Sequence, residues 1–206
     1  MVAAPVFGTA TTGRAGAESD TVMKLFAEPR PDAESGPNGL RSPPITAADV
    51  GLLLLRLGIG LIMAGHGAQK LFGLFGGHGL TATGKGFAAL GYRPGEFFAG
   101  LAGASEFLGG LGLAAGLLTP LAAAALIGVM INAMALAAPK GLWAMSGGLE
   151  YPLCIAVVAL AVAAIGPGRL ALDRPFVWRD GGWACAAVAL GLGGLGAALT
   201  LALFAT

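Results

Sequence analysis

The sequence predicts an all-α integral membrane protein: an antiparallel bundle of four spanning helices followed by a fifth, C-terminal one. Three observations predict it. Hydrophobic residues make up 56% of the 206 residues and charged residues only 11%, against roughly a quarter charged in a soluble domain. Mean hydropathy is +0.79. Five apolar segments are each close to the roughly 20 residues that cross a hydrocarbon core. The 36 glycines follow no collagen period, and a formal net charge of +1 gives no basic field for nucleic acid.

Residues 1–46 stand apart as a Pro-rich tail. They hold Pro5, Pro29, Pro31, Pro37, Pro43 and Pro44, mixed charges and no sustained period. They lack the basic stretch and long apolar run of a secretory signal. Only Asp20–Phe26, with Val22, Met23, Leu25 and Phe26, has the pattern of a short amphipathic helix. Residues 47–181 form the expected four-helix domain. Its first helix runs from Val50 to about Phe72, started by Thr46 or Asp49. A short interfacial or re-entrant helix follows at Thr81–Leu90. The second span covers Glu96–Leu118. Thr119-Pro120 starts the third, which ends near Ala138, and so short a connection makes these two antiparallel neighbours. The fourth runs from Leu149 to Ile165 and stops at Gly166-Pro167-Gly168. Residues 182–206 add the fifth.

Lysine and arginine counts orient the bundle. With the N-terminus cytoplasmic, the inner side holds Arg14, Lys24, Arg30, Arg41, Arg169, Arg174 and Arg179. The outer side then holds Lys70, Lys85, Arg93 and Lys140. This places the C-terminus in the periplasm.

Ionisable groups at membrane depth are costly and default to functional candidates. At about 1.5 Å per helical residue, Glu106 lies near the midplane, His66 in the outer third and Asn132 about 18 Å from the inner side. Glu150 and Tyr151 open the fourth helix on the outer side. His66, Gln69 and Lys70 share one face of the first helix. Four helices thus aim polar groups at one half of the membrane. The small residues Gly103, Gly109 and Gly110 accompany Glu106, and Ala125, Gly128 and Ala135 accompany Asn132, inviting close helix approach. The catalytic candidates are His66, Lys70 and Glu106, with Gln69, Asn132, Glu150 and Tyr151 as ligand-binding candidates. Two readings stand: a purely structural polar clasp, or a headgroup and proton site. Arg56 is expected to snorkel or to pair with Asp173, a structural role for both.

Cys154 and Cys185 fall near opposite membrane faces, too far apart for a disulfide, and are expected as packing residues. His66 and His78 match no metal-ligand spacing, so no metal site is expected. GFAALG (86–91) and GLGGLG (191–196) sit in membrane-helix context rather than after a strand, which leaves close packing as their role.

Three stretches carry a family resemblance: LLLLRLGIGLIMAGHGAQKLFG (52–73), GASEFLGGLGLAAGLLTPLAA (103–123) and GPGRLALDR (166–174). The arginine in the first helix, H-G-x-x-K at its end, E-x-x-G-G in the second and G-P-G-R-L-x-L-D after the fourth are specific as a set. Residues 50–175 thereby resemble the DoxX family of small bacterial membrane proteins, related to the DoxD subunit of thiosulfate:quinone oxidoreductase. The resemblance implies a four-helix antiparallel bundle of DoxX type in a bacterial inner membrane, with a loose oxidoreductase association. It carries the family's polar positions onto Arg56, His66, Lys70 and Glu106. The tail and the fifth helix depart from the family and suit a docked subunit. The expected function is an accessory or anchoring subunit of a membrane redox or energy-converting complex, respiratory or photosynthetic. Its protein partners are expected along residues 1–46 and 182–206, the latter through Gly193 and Ala197. The alternative is a quinone-linked oxidoreductase subunit working at the polar cluster, with no intrinsic cofactor evident and quinone as the lipophilic candidate.

Overall fold

The structure, a computed structural model, describes residues 44–204, which are helical with irregular connections and contain no strand. The amphipathic segment expected at Asp20–Phe26 lies outside the described residues. Helix α1 spans Ala47–Phe72, α2 Gly79–Ala89, α3 Gly95–Ala115 and α4 Thr119–Ala137. Two single 3-10 turns lead to α5, Glu150–Ile165, and a loop then leads to α6, Trp183–Phe204. α1 starts at a capping box: Asp49 N–H donates to Thr46 Oγ1, and Thr46 N–H donates back to Asp49 Oδ2 at 2.9 Å. α1, α3, α4 with its following turn, and α6 are long and apolar enough to cross a membrane. α5 is apolar but has 16 residues, about 24 Å, so it is shorter than the core it was expected to cross. The protein is a multi-pass membrane protein.

The first helix packs most extensively on α3. A Cβ on Gly60 would stand 2.6 Å from the Gly110 carbonyl oxygen and 2.7 Å from the Ala114 nitrogen. Seven residues on, a Cβ on Gly67 would meet the Gly103 carbonyl oxygen at 2.6 Å, and also the Phe107 nitrogen. The paired positions advance along one helix as they retreat along the other, as an antiparallel seam requires. Backbone therefore lies on backbone, which in lipid is a main source of helix association. Gly109, expected on the same face as Gly103 and Gly110, turns instead toward α4, 3.1 Å from the Ala122 carbonyl by the same construction.

α4 is the hub of the other half, packing on α3, α5 and α6. Met63, Leu113, Leu126, Ile127, Ile155 and Val162 fill the core between these helices. Gly193 of α6 presses on Ala124 and Ile127, and Ala197 is buried. The small-residue face expected to receive an outside partner is thus occupied within the chain. Cys185 is half-buried and Cys154 exposed, and both are free thiols.

Arg56 and Asp173 neither snorkel nor pair as an ion pair. Arg56 is 1% exposed. Its Nη2 donates to the Leu170 carbonyl at 2.7 Å and the Ala114 carbonyl at 3.4 Å, and its Nη1 donates to the Pro167 carbonyl. Asp173 is buried and accepts from Leu118 N–H and Thr119 N–H, both at 2.8 Å, capping the start of α4. Guanidinium and carboxylate are spent on backbone groups that would otherwise be unsatisfied. This is why α3 ends at Ala115 and not at the expected Leu118. Gly116 turns left-handed (φ 62°), and the 166–182 loop bonds back through Asp173 N–H to its carbonyl at 2.8 Å. A Cβ on Gly116 would stand 2.6 Å from that of Ala171.

Two predictions arise here. Gly67→Leu and Gly110→Leu should each cost about 1–3 kcal/mol or more by overpacking. Gly58→Leu, where nothing lies within 4 Å, should be neutral in the same detergent melts; equal melting of all three would remove the seam. Burial acts to raise the Asp173 pKa, but the hydrogen bonds from Thr119 and Leu118 outweigh it, so the carboxyl sits below its usual value. Its stabilisation is then complete above the unfolded pKa of about 3.9 and is lost as pH falls through the lower folded value. Melts on the acid side should show a steep fall in Tm for wild type and a shallower one for Asp173→Asn, which should also start lower at neutral pH. Parallel curves would contradict the cap.

Candidate functional site

Lys70 Nζ lies 2.6 Å from Glu106 Oε2, as both hydrogen bond and ion pair. Side-chain directions bring them together. Helical Cβ atoms tilt toward their own N-terminus, so Lys70, near the end of α1, leans back into the bundle. Glu106, eleven helical residues into the antiparallel α3, leans toward it. The glycine seam sets the spacing, because Gly103 lies against Leu71 and the Lys70 Cβ. The Glu106 side chain is 5% exposed and that of Lys70 25%. A charge alone at this depth would cost at least a few kcal/mol, and pairing offsets much of it.

The pair closes one side of a cavity of about 380 Å³, within the roughly 300–1,000 Å³ range of small-molecule pockets. α4 forms its floor with Ala124, Ala125, Gly128, Val129 and Asn132. α3 supplies one wall (Leu101, Ala102, Ser105, Glu106) and α6 the other (Leu192, Gly193, Gly196, Thr200). The lining is apolar except near Lys70, Glu106, Ser105, Asn132, Thr200 and Tyr92.

A second polar group sits on the same cavity. Asn132 Oδ1 accepts from Thr200 Oγ1 at 3.0 Å and from the Tyr92 hydroxyl at 3.4 Å, while its Nδ2 donates to the Gly128 carbonyl at 3.0 Å. The bridge joins α4 to α6 and to the loop before α3. Thr200, Tyr92 and Ser105 escaped the sequence reading, which weighed ionisable groups by depth. Thr200 carried a usable signal: it follows Gly193 by seven residues, on the face that packs on α4.

The other candidates go elsewhere. Tyr151 hydroxyl and His66 Nε2 are 3.1 Å apart, with the rings edge to face at a centroid distance of 6.0 Å. Neither residue lines the cavity. Gln69 donates to the Phe75 carbonyl at 3.1 Å and holds the loop after α1. Glu150 accepts from Ala144 N–H at 2.9 Å and holds the loop before α5. The expected single convergence is therefore two groups, Lys70–Glu106–Asn132 on the cavity and His66–Tyr151 beside it, with Gln69 and Glu150 bracing loops. Among the described residues no three of His, Cys, Asp or Glu gather into a group that could hold a metal ion.

A family model described as DoxX matches residues 51–139, from the first turn of α1 through the end of α4. No curated protein and no solved structure matches the chain. The matched stretch contains Lys70, Glu106 and Asn132, whereas the α6 wall of the cavity lies outside it.

Breaking the pair from one side tests its energetics. Lys70→Met should destabilise the protein by about 1–3 kcal/mol, because a buried carboxyl loses its cation. Lys70→Met combined with Glu106→Leu should recover part of that loss. Additive losses in nanodisc melts would show that the two side chains do not interact.

Proposed function

We propose that this chain, whose residues 51–139 match the DoxX family model and four of whose described helices are long and apolar enough to cross a membrane, serves a larger membrane redox assembly as its quinone-linked subunit. The observation that carries the reading is the Lys70–Glu106 pair, its carboxylate buried and its lysine half-buried, on the lining of a mainly apolar cavity. With the N-terminus cytoplasmic, as the distribution of basic residues argues, that edge lies toward the periplasmic leaflet of a bacterial inner membrane.

The residues fit a lipophilic carbonyl compound. Lys70 carries three N–H donors, of which Glu106 takes one, so the others are free for a carbonyl oxygen. Glu106 can hold or pass a proton beside that oxygen. Ser105 adds a hydroxyl and Asn132 a second amide N–H on the same cavity. A bound quinone would supply two-electron, two-proton redox capacity, with electrons coming from a partner's cofactor. That requirement supports the accessory-subunit side of the reading. The proposed partner contacts are residues 1–46 and the side of α6 that carries Leu190, which is more than half exposed and outside the cavity lining.

The test is binding of a benzoquinone with a ten-carbon tail to the full chain in nanodiscs. Glu106→Gln and Lys70→Ala should each weaken it by about tenfold or more, the worth of a charge-assisted hydrogen bond. His66→Ala, off the cavity, should leave it unchanged. Wild-type protein that binds no quinone, or binding insensitive to Glu106 and Lys70, would defeat the reading.

A further inference from the structure

The cavity has a sealed end and an unsealed flank. At the end nearest residues 73–94, Tyr92 packs between Phe87 and Phe98 with ring centroids 5.5 and 5.3 Å away. Tyr92 is 3% exposed, and its hydroxyl bonds to the Asn132–Thr200 bridge that ties the end of α6 to α4. Among the described residues, no comparable seal lies between α3 and α6. Both pack on α4, yet they do not pack extensively on each other. The lining residues on the two rims, Leu101 and Leu192, are 44% and 48% exposed.

Glycine geometry shows where the slot is. Gly193 and Ala197 fasten α6 to α4, with a Cβ on Gly193 only 2.7 Å from the Ala124 carbonyl. Gly196 also lines the cavity, but no atom lies within 4 Å of where its Cβ would stand. α6 is therefore held at a fixed distance by its neighbours on one face while Gly196 leaves a gap on the next. The outward faces on both sides of this gap are leucines, Leu108 on α3 and Leu195 and Leu199 on α6. A bilayer-spanning helix with such a face borders acyl chains, so the slot opens to lipid.

We propose that this slot is a lateral portal: the ligand arrives from the bilayer, its polar head meets Lys70–Glu106, and its single hydrocarbon tail lies over Gly196 between α3 and α6. The proposal rests on the cavity's being the ligand site and adds how the ligand reaches it and which part of it α6 recognises. α6 lies beyond the stretch that matches the DoxX model, so the tail is recognised by a helix outside that stretch. The occupant is the ligand's own tail, because the slot is continuous with the polar edge of the cavity and apolar along its course.

The test uses two probes with one head, a dimethoxy-methyl-benzoquinone without a tail and the same ring with a ten-carbon tail. Gly196→Phe fills the slot, and Gly196→Leu fills it partly. Gly191→Phe, on the same helix with open space around it and outside the cavity lining, controls for insertion and folding. Binding is measured in nanodiscs. The tailed probe should lose about tenfold or more in affinity in Gly196→Phe and less in Gly196→Leu, since each buried CH₂ is worth about 0.8 kcal/mol. The tail-less probe should bind all forms alike, and Gly191→Phe should match wild type with both. Unchanged binding of the tailed probe in Gly196→Phe, or equal losses for both probes, would overturn the portal and leave the site. Binding of neither probe to wild type would overturn the site and the portal with it.

Discussion

Backbone contact between α1 and α3 is the constraint on which the rest depends. Lipid tails are as apolar as leucine, so helices in a bilayer gain little by hiding leucines from it. They gain by touching closely: Gly60, Gly67 and Gly110 bring the two backbones together, and Gly103 makes room for the Leu71 side chain. The contact also carries an electrostatic consequence. It sets the two helices close enough for a lysine and a glutamate, tilted toward each other from opposite chain directions, to share a hydrogen bond at 2.6 Å. Wider spacing would leave a carboxyl unpaired in the membrane interior. Seam and ion pair are therefore one unit.

Two cations of α1, Arg56 buried and Lys70 half-buried, show how similar sequence signals part in the fold. Arg56 and Lys70 both lie on α1, within the stretch that matches the DoxX model. Arg56 gives its terminal nitrogens to three carbonyls at the junction of α3, α4 and the 166–182 loop, where Asp173 meets the amides of Leu118 and Thr119. Both charged side chains are buried there. Lys70 gives one hydrogen to Glu106 and borders a cavity. A cation consumed by backbone fastens the fold, whereas a cation with donors left beside a chamber can meet a ligand.

Much of this was legible in the chain. The spans follow from apolar runs, and Glu106 could be chosen from depth alone. The partner of Glu106 could not be settled that way. His66 and Lys70 are four residues apart on one helix face, and the rotation of α1 that favours Lys70 is set by Gly67 against Gly103, a property of two helices together. Gln69 and Glu150 belonged to the same set of polar candidates, yet each lies near a helix end where loop backbone needs a partner. Gly193 and Ala197 announced a close neighbour without saying that it was α4. Tyr92 sits in a connection, and only the folded chain brings it to Asn132 and Thr200.

The account turns on contact between Lys70 and Glu106 in a bilayer, and solid-state NMR can read it directly. With ¹⁵N on lysine Nζ and ¹³C on the glutamate carboxyl, wild-type protein in lipid should show a dipolar coupling that places the two groups in hydrogen-bond contact. Gly103→Leu should abolish that coupling by pushing α1 off α3 while the protein stays inserted. Absence of the coupling in wild type, or its persistence in Gly103→Leu, would contradict the claim that the glycine seam builds the site.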